Sequence, residues 1–261
     1  MDLGIKGKTA LVLASSRGLG QAMAHSLARE GAQVAVTGRN AEGLAQTVKM
    51  IESVGGKALA LNWDLADLNA IDGHVQTIEN QLGPVNILIN NTGGPPPTPA
   101  SGQDPQLWQK SFQEMVLSLM KITDRVLPGM RERRWGRIIT STTSGAIVPI
   151  RNLAISNTLR AALLGWSKTL AAEVAADGVT VNVIMPGRVA TDRLRQLDEA
   201  RAKRENITYD AVVSASLKTI PAGRYGDPKE YGDTAAFLAS QNASYITGSV
   251  IRVDGGQVPS I

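Results

Sequence analysis

The sequence predicts an α/β fold, a single doubly wound parallel sheet of about seven strands flanked by helices. Three observations predict it. Short apolar runs alternate with longer helical patterns along the whole 261 residues. The runs are apolar at nearly every position, as strands covered on both faces are. The 26 glycines supply the tight turns that join strand to helix in such a layered fold.

Taken in order, Thr9-Ala10-Leu11-Val12-Leu13 reads as the first buried strand, and a helix follows from about Gly18 to Glu30. Val34-Ala35-Val36 is the second strand, followed by a helix to about Ser53. Ala58-Leu59-Ala60-Leu61 and Asn86-Ile87-Leu88-Ile89 are the third and fourth. Gly136-Arg137-Ile138-Ile139 opens the fifth, Val179 to Ile184 forms the sixth and Val250-Ile251-Arg252-Val253 the seventh. Long helices are expected around Met115, Met120 and Met130, which read as core or interface filler, and from Arg151 to Ala176. Pro95-Pro96-Pro97 is a rigid loop after the fourth strand. The charged stretch from about Asp192 to Thr219 breaks the β/α rhythm. It reads as an insertion over the site, a substrate lid on one domain spanning 1–261.

Composition excludes several function classes. No cysteine occurs, so disulfides and cysteine-ligated metal are out, in keeping with a cytoplasmic protein. His25 and His74 have no partner at metal-ligand spacing, so no metal is expected. Met1 to Ala10 carries no long apolar run behind a basic tip, so no signal peptide is expected, and no stretch is apolar enough for a membrane span. A net charge of +4 with 4% aromatics gives no basic, aromatic-laced stripe for nucleic acid.

The first strand runs into Ala14-Ser15-Ser16-Arg17-Gly18-Leu19-Gly20, where a helix begins. Glycines there let the backbone approach a ligand, and a helix start offers free N–H groups to a pyrophosphate. Ser16, Arg17, Gly18, Leu19 and Gly20 are therefore candidate contacts to a dinucleotide, and the sheet is of Rossmann type. NAD enzymes usually end the second strand with an acid for the ribose hydroxyls. Here it ends Thr37-Gly38-Arg39-Asn40. Arg17 and Arg39 suit a 2′-phosphate, which favours NADP(H) over NAD(H).

At this point the chain resembles the short-chain dehydrogenase/reductase family over nearly its whole length. Asn90-Asn91-Thr92-Gly93 is similar to that family's Asn-Asn-Ala-Gly motif, and Asp64-Leu65 to its adenine-contacting site. Pro186-Gly187-Arg188-Val189-Ala190-Thr191 resembles the turn that holds the nicotinamide carboxamide. Gly223 to Pro228 and Tyr245 to Gly256 are similar to its C-terminal signature. The resemblance implies coenzyme contacts from Asp64, Leu65, Asn91, Gly93, Pro186, Gly187, Val189 and Thr191. It leans toward reductases of the 3-oxoacyl-acyl-carrier-protein type and implies a homo-oligomer, tetramer or dimer. The chain departs at Leu13-Ala14, where the family has Thr-Gly; alanine costs little space, so binding is expected to survive.

The family's catalytic Asn, Ser, Tyr and Lys fall elsewhere. Alignment on Trp108, Gly136–Ile139 and Gly165–Lys168 puts Met115 at the asparagine, Thr143 at the serine with Ser144 beside it, Ser156 at the tyrosine and Arg160 at the lysine. A serine hydroxyl is far less acidic than a phenol, and arginine stays protonated. Loss of a positioned acid costs about 10²–10⁴-fold in rate, which slows the chemistry without forbidding it. The expectation is an oxidoreductase on a small-molecule or acyl-carrier-bound substrate. Arg160 would polarise the oxygen and hold the ribose, Ser156, Thr143 or Ser144 would orient the oxygen, and water would supply the proton. The alternative is a catalytically inactive NADP(H)-binding sensor or interaction protein.

The lid carries Arg193, Arg195, Arg201, Lys203 and Arg204, and with Arg188 these read either as a lure for an anionic substrate or as a solvated face laced with Asp198, Glu199 and Glu205. Tyr209 either reaches the site on closure or packs the lid down.

Overall fold

The computed structural model describes residues 1–260. Seven strands form one sheet: β1 (Thr9–Val12), β2 (Gln33–Gly38), β3 (Ala58–Asn62), β4 (Val85–Asn90), β5 (Gly136–Ser141), β6 (Val179–Pro186) and β7 (Val250–Val253). They lie in the order β3-β2-β1-β4-β5-β6-β7, and every pairing is parallel. The order reverses between β1 and β4, which opens a crevice at their carboxyl ends.

Alternation along each strand feeds two cores. Leu11, Leu13, Leu88, Ile138 and Val181 point to one face, against α3 (Ile71–Leu82), α5 (Ser118–Glu132) and α6 (Ala154–Val174). Ala10, Val12, Ile87, Ile89, Ile139 and Ile184 point to the other, against α1 (Gly18–Arg29), α2 (Ala41–Glu52) and α9 (Pro228–Leu238). Both faces of the central strands are covered, which is why runs such as Ala10–Val12 and Ile87–Ile89 are continuously apolar.

Three departures from the sequence reading matter. The helix expected around the methionines is broken into α4 (Pro105–Phe112), a π-helical turn over Gln113–Leu117, and α5. Met115 and Met130 are buried in the core, and Met120 packs against it half-buried. The helix expected from Arg151 starts at Ala154 and ends in a 3₁₀ turn, Ala175–Asp177. The stretch read as an insertion is two helices, α7 (Asp192–Glu205) and α8 (Tyr209–Leu217). Thr191 caps the first by accepting from the Leu194 amide, and Thr208 caps the second by accepting from that of Ala211. No described helix is long and apolar enough to cross a membrane.

Candidate active site

The crevice is built from the loops after β1, β4, β5 and β6. The β1 loop is pinned from both sides. Ala14 N–H donates to Thr37 Oγ1 at 3.2 Å, and Ser15 Oγ donates to Val12 O at 2.8 Å while accepting from the Thr37 amide at 2.9 Å. From β4, Asn91 Nδ2 donates to the carbonyls of Leu13 and Ala14, each at 3.2 Å. Thr37 and the buried Thr47, whose hydroxyl donates to Ser15 O at 3.0 Å, escaped the sequence reading because they act from a distant strand and helix.

A diphosphate fits this loop. The amides of Ser16, Arg17, Gly18, Leu19 and Gly20 donate to no acceptor among the described residues. They surround the start of α1, whose N-cap, Arg17, makes no side-chain cap. Gly20 is required for closeness: a Cβ there would stand 2.4 Å from Ala14 O and 2.9 Å from Asn91 Nδ2. Ala14 sits at φ +46°, so its cost is conformational rather than one of volume.

At the far end of β2, Arg39 and Asp64 form an exposed ion pair at 3.7 Å. Trp63 N–H donates to Gly38 O at 3.0 Å and so holds the two strand ends together, while Leu65 packs half-buried on the core. Beyond β6, Gly187 N–H donates to Val253 O at 3.0 Å, and a Cβ on Gly187 would stand 2.6 Å from Asp254 Cα. Pro186 and Val189 are buried beside that turn, and the Thr191 methyl lies 3.8 Å from where a Cβ on Gly18 would be. The β6 turn therefore meets the β1 loop across the crevice.

Arg160 is buried at 8% exposure beneath this junction. Its Nη1 donates to Ser141 O at 3.0 Å, and its Nη2 reaches Thr92 O and Gly93 O, each at 3.2 Å. One guanidinium thus ties the β4 loop to the end of β5. Desolvation lowers its pKa to about 10, Tyr231 raises it and Arg193 lowers it further, and it remains a cation at neutral pH. Ser156 lies one helical turn before Arg160 and so shares its face of α6. The 3₁₀ turn Ser144–Ala146 packs on α6, with Thr143 Oγ1 accepting from Gly145 N–H at 3.4 Å. Ser144 and Ser156 are half-buried, and neither hydroxyl has a hydrogen-bond partner in the described chain.

Under this floor lies a pair that sequence reasoning missed. The fully buried Tyr231 donates to Ile184 O at 3.1 Å, so its 2.9 Å contact with Ser141 Oγ is donated by the serine. Burial raises the Tyr231 pKa. A cavity of about 560 Å³ adjoins the phosphate loop, lined by Gly18, His25, Thr191, Tyr209 and Tyr225 among others. His25 faces this cavity, and His74 stacks on Trp63 with ring centroids 4.5 Å apart. The described residues hold no group of three or more metal-ligating side chains.

Residues 13–257 match the family described as Enoyl-(Acyl carrier protein) reductase. The chain is also 35% identical over 257 residues to 3-oxoacyl-[acyl-carrier-protein] reductase FabG of Vibrio harveyi, covering 97% of this chain and 98% of that one. The chain belongs to the short-chain dehydrogenase/reductase family. L-sorbose reductase from Gluconobacter frateurii, solved with NADPH and L-sorbose, superposes with a TM-score of 0.94 at 30% identity and full coverage of both chains. YwfH, an NADPH-dependent reductase of bacilysin biosynthesis, superposes at 0.91 and 30% identity, with 97% of this chain and 99% of that one covered. This short-chain dehydrogenase/reductase is an oxidoreductase that acts on CH–OH groups with NAD(P).

Proposed function

We propose that the protein reduces a carbonyl, or oxidises the matching alcohol, with NADP(H), through a site in which Ser156 and Arg160 stand where the family has tyrosine and lysine. The observation that carries this reading is the shared face of α6. Arg160 donates to the loops after β4 and β5, Ser156 sits one turn before it on the same face, and the Thr143 and Ser144 hydroxyls lie on the turn that packs on α6. Bound coenzyme supplies or accepts the hydride. The hydroxyls of Ser156, Thr143 and Ser144 orient the substrate oxygen. Arg160 contributes a fixed positive charge beneath it, which stabilises a developing oxyanion in a site of low dielectric. With no phenol in place, water delivers the proton.

The free amides of the β1 loop and the Asn91–Gly93 turn would hold the diphosphate, with Leu65 at the adenine end and Pro186, Gly187, Val189 and Thr191 at the nicotinamide end. NADP(H) is favoured because β2 ends without a carboxylate and Arg39 is free to trade exposed Asp64 for a 2′-phosphate. An acyl substrate of the 3-oxoacyl type is supported by the FabG relatives. α7 and α8 act as its lid. The resemblance to the family also implies a homo-oligomer.

The test is NADPH oxidation against a panel of ketones and 3-oxoacyl thioesters, together with coenzyme titration. Arg39→Ala should weaken NADPH by roughly 10- to 100-fold and leave NADH unchanged, the range of one charge-assisted hydrogen bond. Equal affinity of the wild type for NADH, or no turnover on any carbonyl, would count against the reading.

A further inference from the structure

Arg193 is the second residue of α7, directly after the turn that meets the β1 loop. The other arginines of this region are neutralised. Arg188 pairs with Asp198 at 2.7 Å, Arg195 with Glu199 at 3.0 Å, and Arg201 and Arg204 with Glu205 at 3.0 and 3.3 Å. Arg193 pairs with no carboxylate among the described residues. Its Nη2 instead crosses to the β4 loop, donating to Pro95 O at 3.2 Å and lying 3.5 Å from where a Cβ on Gly94 would stand. The side chain therefore bridges the two lips of the coenzyme crevice, from the Thr191 turn to the Gly93-Gly94-Pro95 turn.

This placement is electrostatically unfavourable as it stands. A cation in the first turn of a helix opposes the helix dipole. Partial desolvation and the neighbouring Arg17 charge both hold the Arg193 pKa below its ordinary value. Arg193 also acts on buried Arg160, whose pKa it lowers. Arg160 and Arg193 both donate to the β4 loop, Arg17 heads α1 on the facing lip, and the first turn of α7 offers only the exposed Asp192. A dianionic group between them removes the repulsion and satisfies donors on both lips.

We propose that Arg193 is a strap over the coenzyme, gripping its diphosphate from the lid side opposite the β1 loop amides. The inference rests on the NADP(H) reading above. Arg193 then acts in coenzyme affinity and release rather than in holding the carbonyl substrate, and it couples lid position to coenzyme occupancy.

The test is binding by the full chain, read from NADPH fluorescence and from calorimetry with adenosine 2′-monophosphate, which carries the adenine end and no diphosphate. Arg193→Met should weaken NADPH by about tenfold or more, in line with loss of one charge-assisted hydrogen bond. It should change adenosine 2′-monophosphate affinity less than twofold and speed NADPH release in stopped flow. Arg195→Met, which removes a neighbouring but paired cation, should leave both ligands unchanged. Unchanged NADPH affinity in Arg193→Met overturns the proposal. So does a raised KM for the carbonyl substrate at unaltered NADPH affinity, which would assign the arginine to the substrate. A wild type that binds neither ligand overturns the NADP(H) reading itself, whatever the variant does.

Discussion

Arg188 donates Nη1 to Asp198 Oδ1 at 2.7 Å, and the aspartate is only 1% exposed. The other carboxylate oxygen accepts the Tyr225 hydroxyl at 2.9 Å. The pair joins the β6 turn to the middle of α7, so that helix is fixed to the turn at its centre. Arg188 therefore serves as an anchor, its charge already met by Asp198 instead of being offered to an anionic substrate.

Asp198→Asn should expose the value of that anchor. The amide keeps the shape but leaves Arg188 without its counter-charge, and breaking a buried pair costs about 3–5 kcal/mol. Arg188 is a quarter exposed, which places the expected loss near the low end, at roughly 3 kcal/mol. Urea unfolding measures it. A change below about 1 kcal/mol would mean that α7 is held by other contacts.

Ala14 offers a gain in stability. Its φ of +46° lies in the left-handed region, which costs an L-residue about 1–2 kcal/mol and glycine almost nothing. Glycine also adds freedom to the unfolded chain, so Ala14→Gly should stabilise by a net of about 0.5–1 kcal/mol. A destabilised variant in chemical denaturation would show that the alanine methyl makes contacts that outweigh the strain.

The contrast between these two sites shows what the sequence can disclose. Near-continuous apolar runs such as Val34–Val36 and Ile87–Ile89 carry the fold because burial on two faces leaves a mark on neighbouring residues. The turn that opens α1 is legible for the same reason: Gly18 and Gly20 are contiguous with the helix they open. The partners of Arg160 are backbone carbonyls of Ser141, Thr92 and Gly93, and a carbonyl has no sequence signature. Ser141 and Tyr231 stand 90 residues apart, and nothing local to either announces the pair. The sequence allows the pairing of Arg195, Arg201 and Arg204 with glutamates on their own helix, whereas nothing local to Arg193 announces that it reaches a carbonyl 98 residues away.

Tyr231 gives an alkaline signature. Burial raises its pKa above the ordinary value of about 10, so the folded state holds the phenol proton more tightly than the unfolded chain does. The stabilisation is fully present below about pH 10 and is lost as pH rises from there toward the folded-state value. Each full proton contributes a slope of about 1.4 kcal/mol per pH unit. Tyr231→Phe should therefore be less stable at pH 8, because Ser141 and Ile184 lose a partner, yet flatter between pH 10 and 11.5. Parallel curves for the two proteins across that window would show that Tyr231 ionises no differently in the folded state.

Arg160→Lys tests whether the charge or the fork matters at the floor of the site. The guanidinium spreads its donors in a plane, so one side chain reaches β5 through Nη1 and the β4 loop through Nη2. An ammonium is a compact point charge on a shorter reach and cannot face both loops along the same lines. At least one buried carbonyl should go without a donor, at a cost of about 1–3 kcal/mol. Because the Thr92–Gly93 turn also borders the coenzyme crevice, NADPH affinity should fall together with stability. A rise in kcat with stability intact would show that charge at this position suffices and that the fork is dispensable. A fall in both stability and NADPH affinity, with no gain in kcat, would identify Arg160 as the residue that holds the two loops in register around the reacting oxygen.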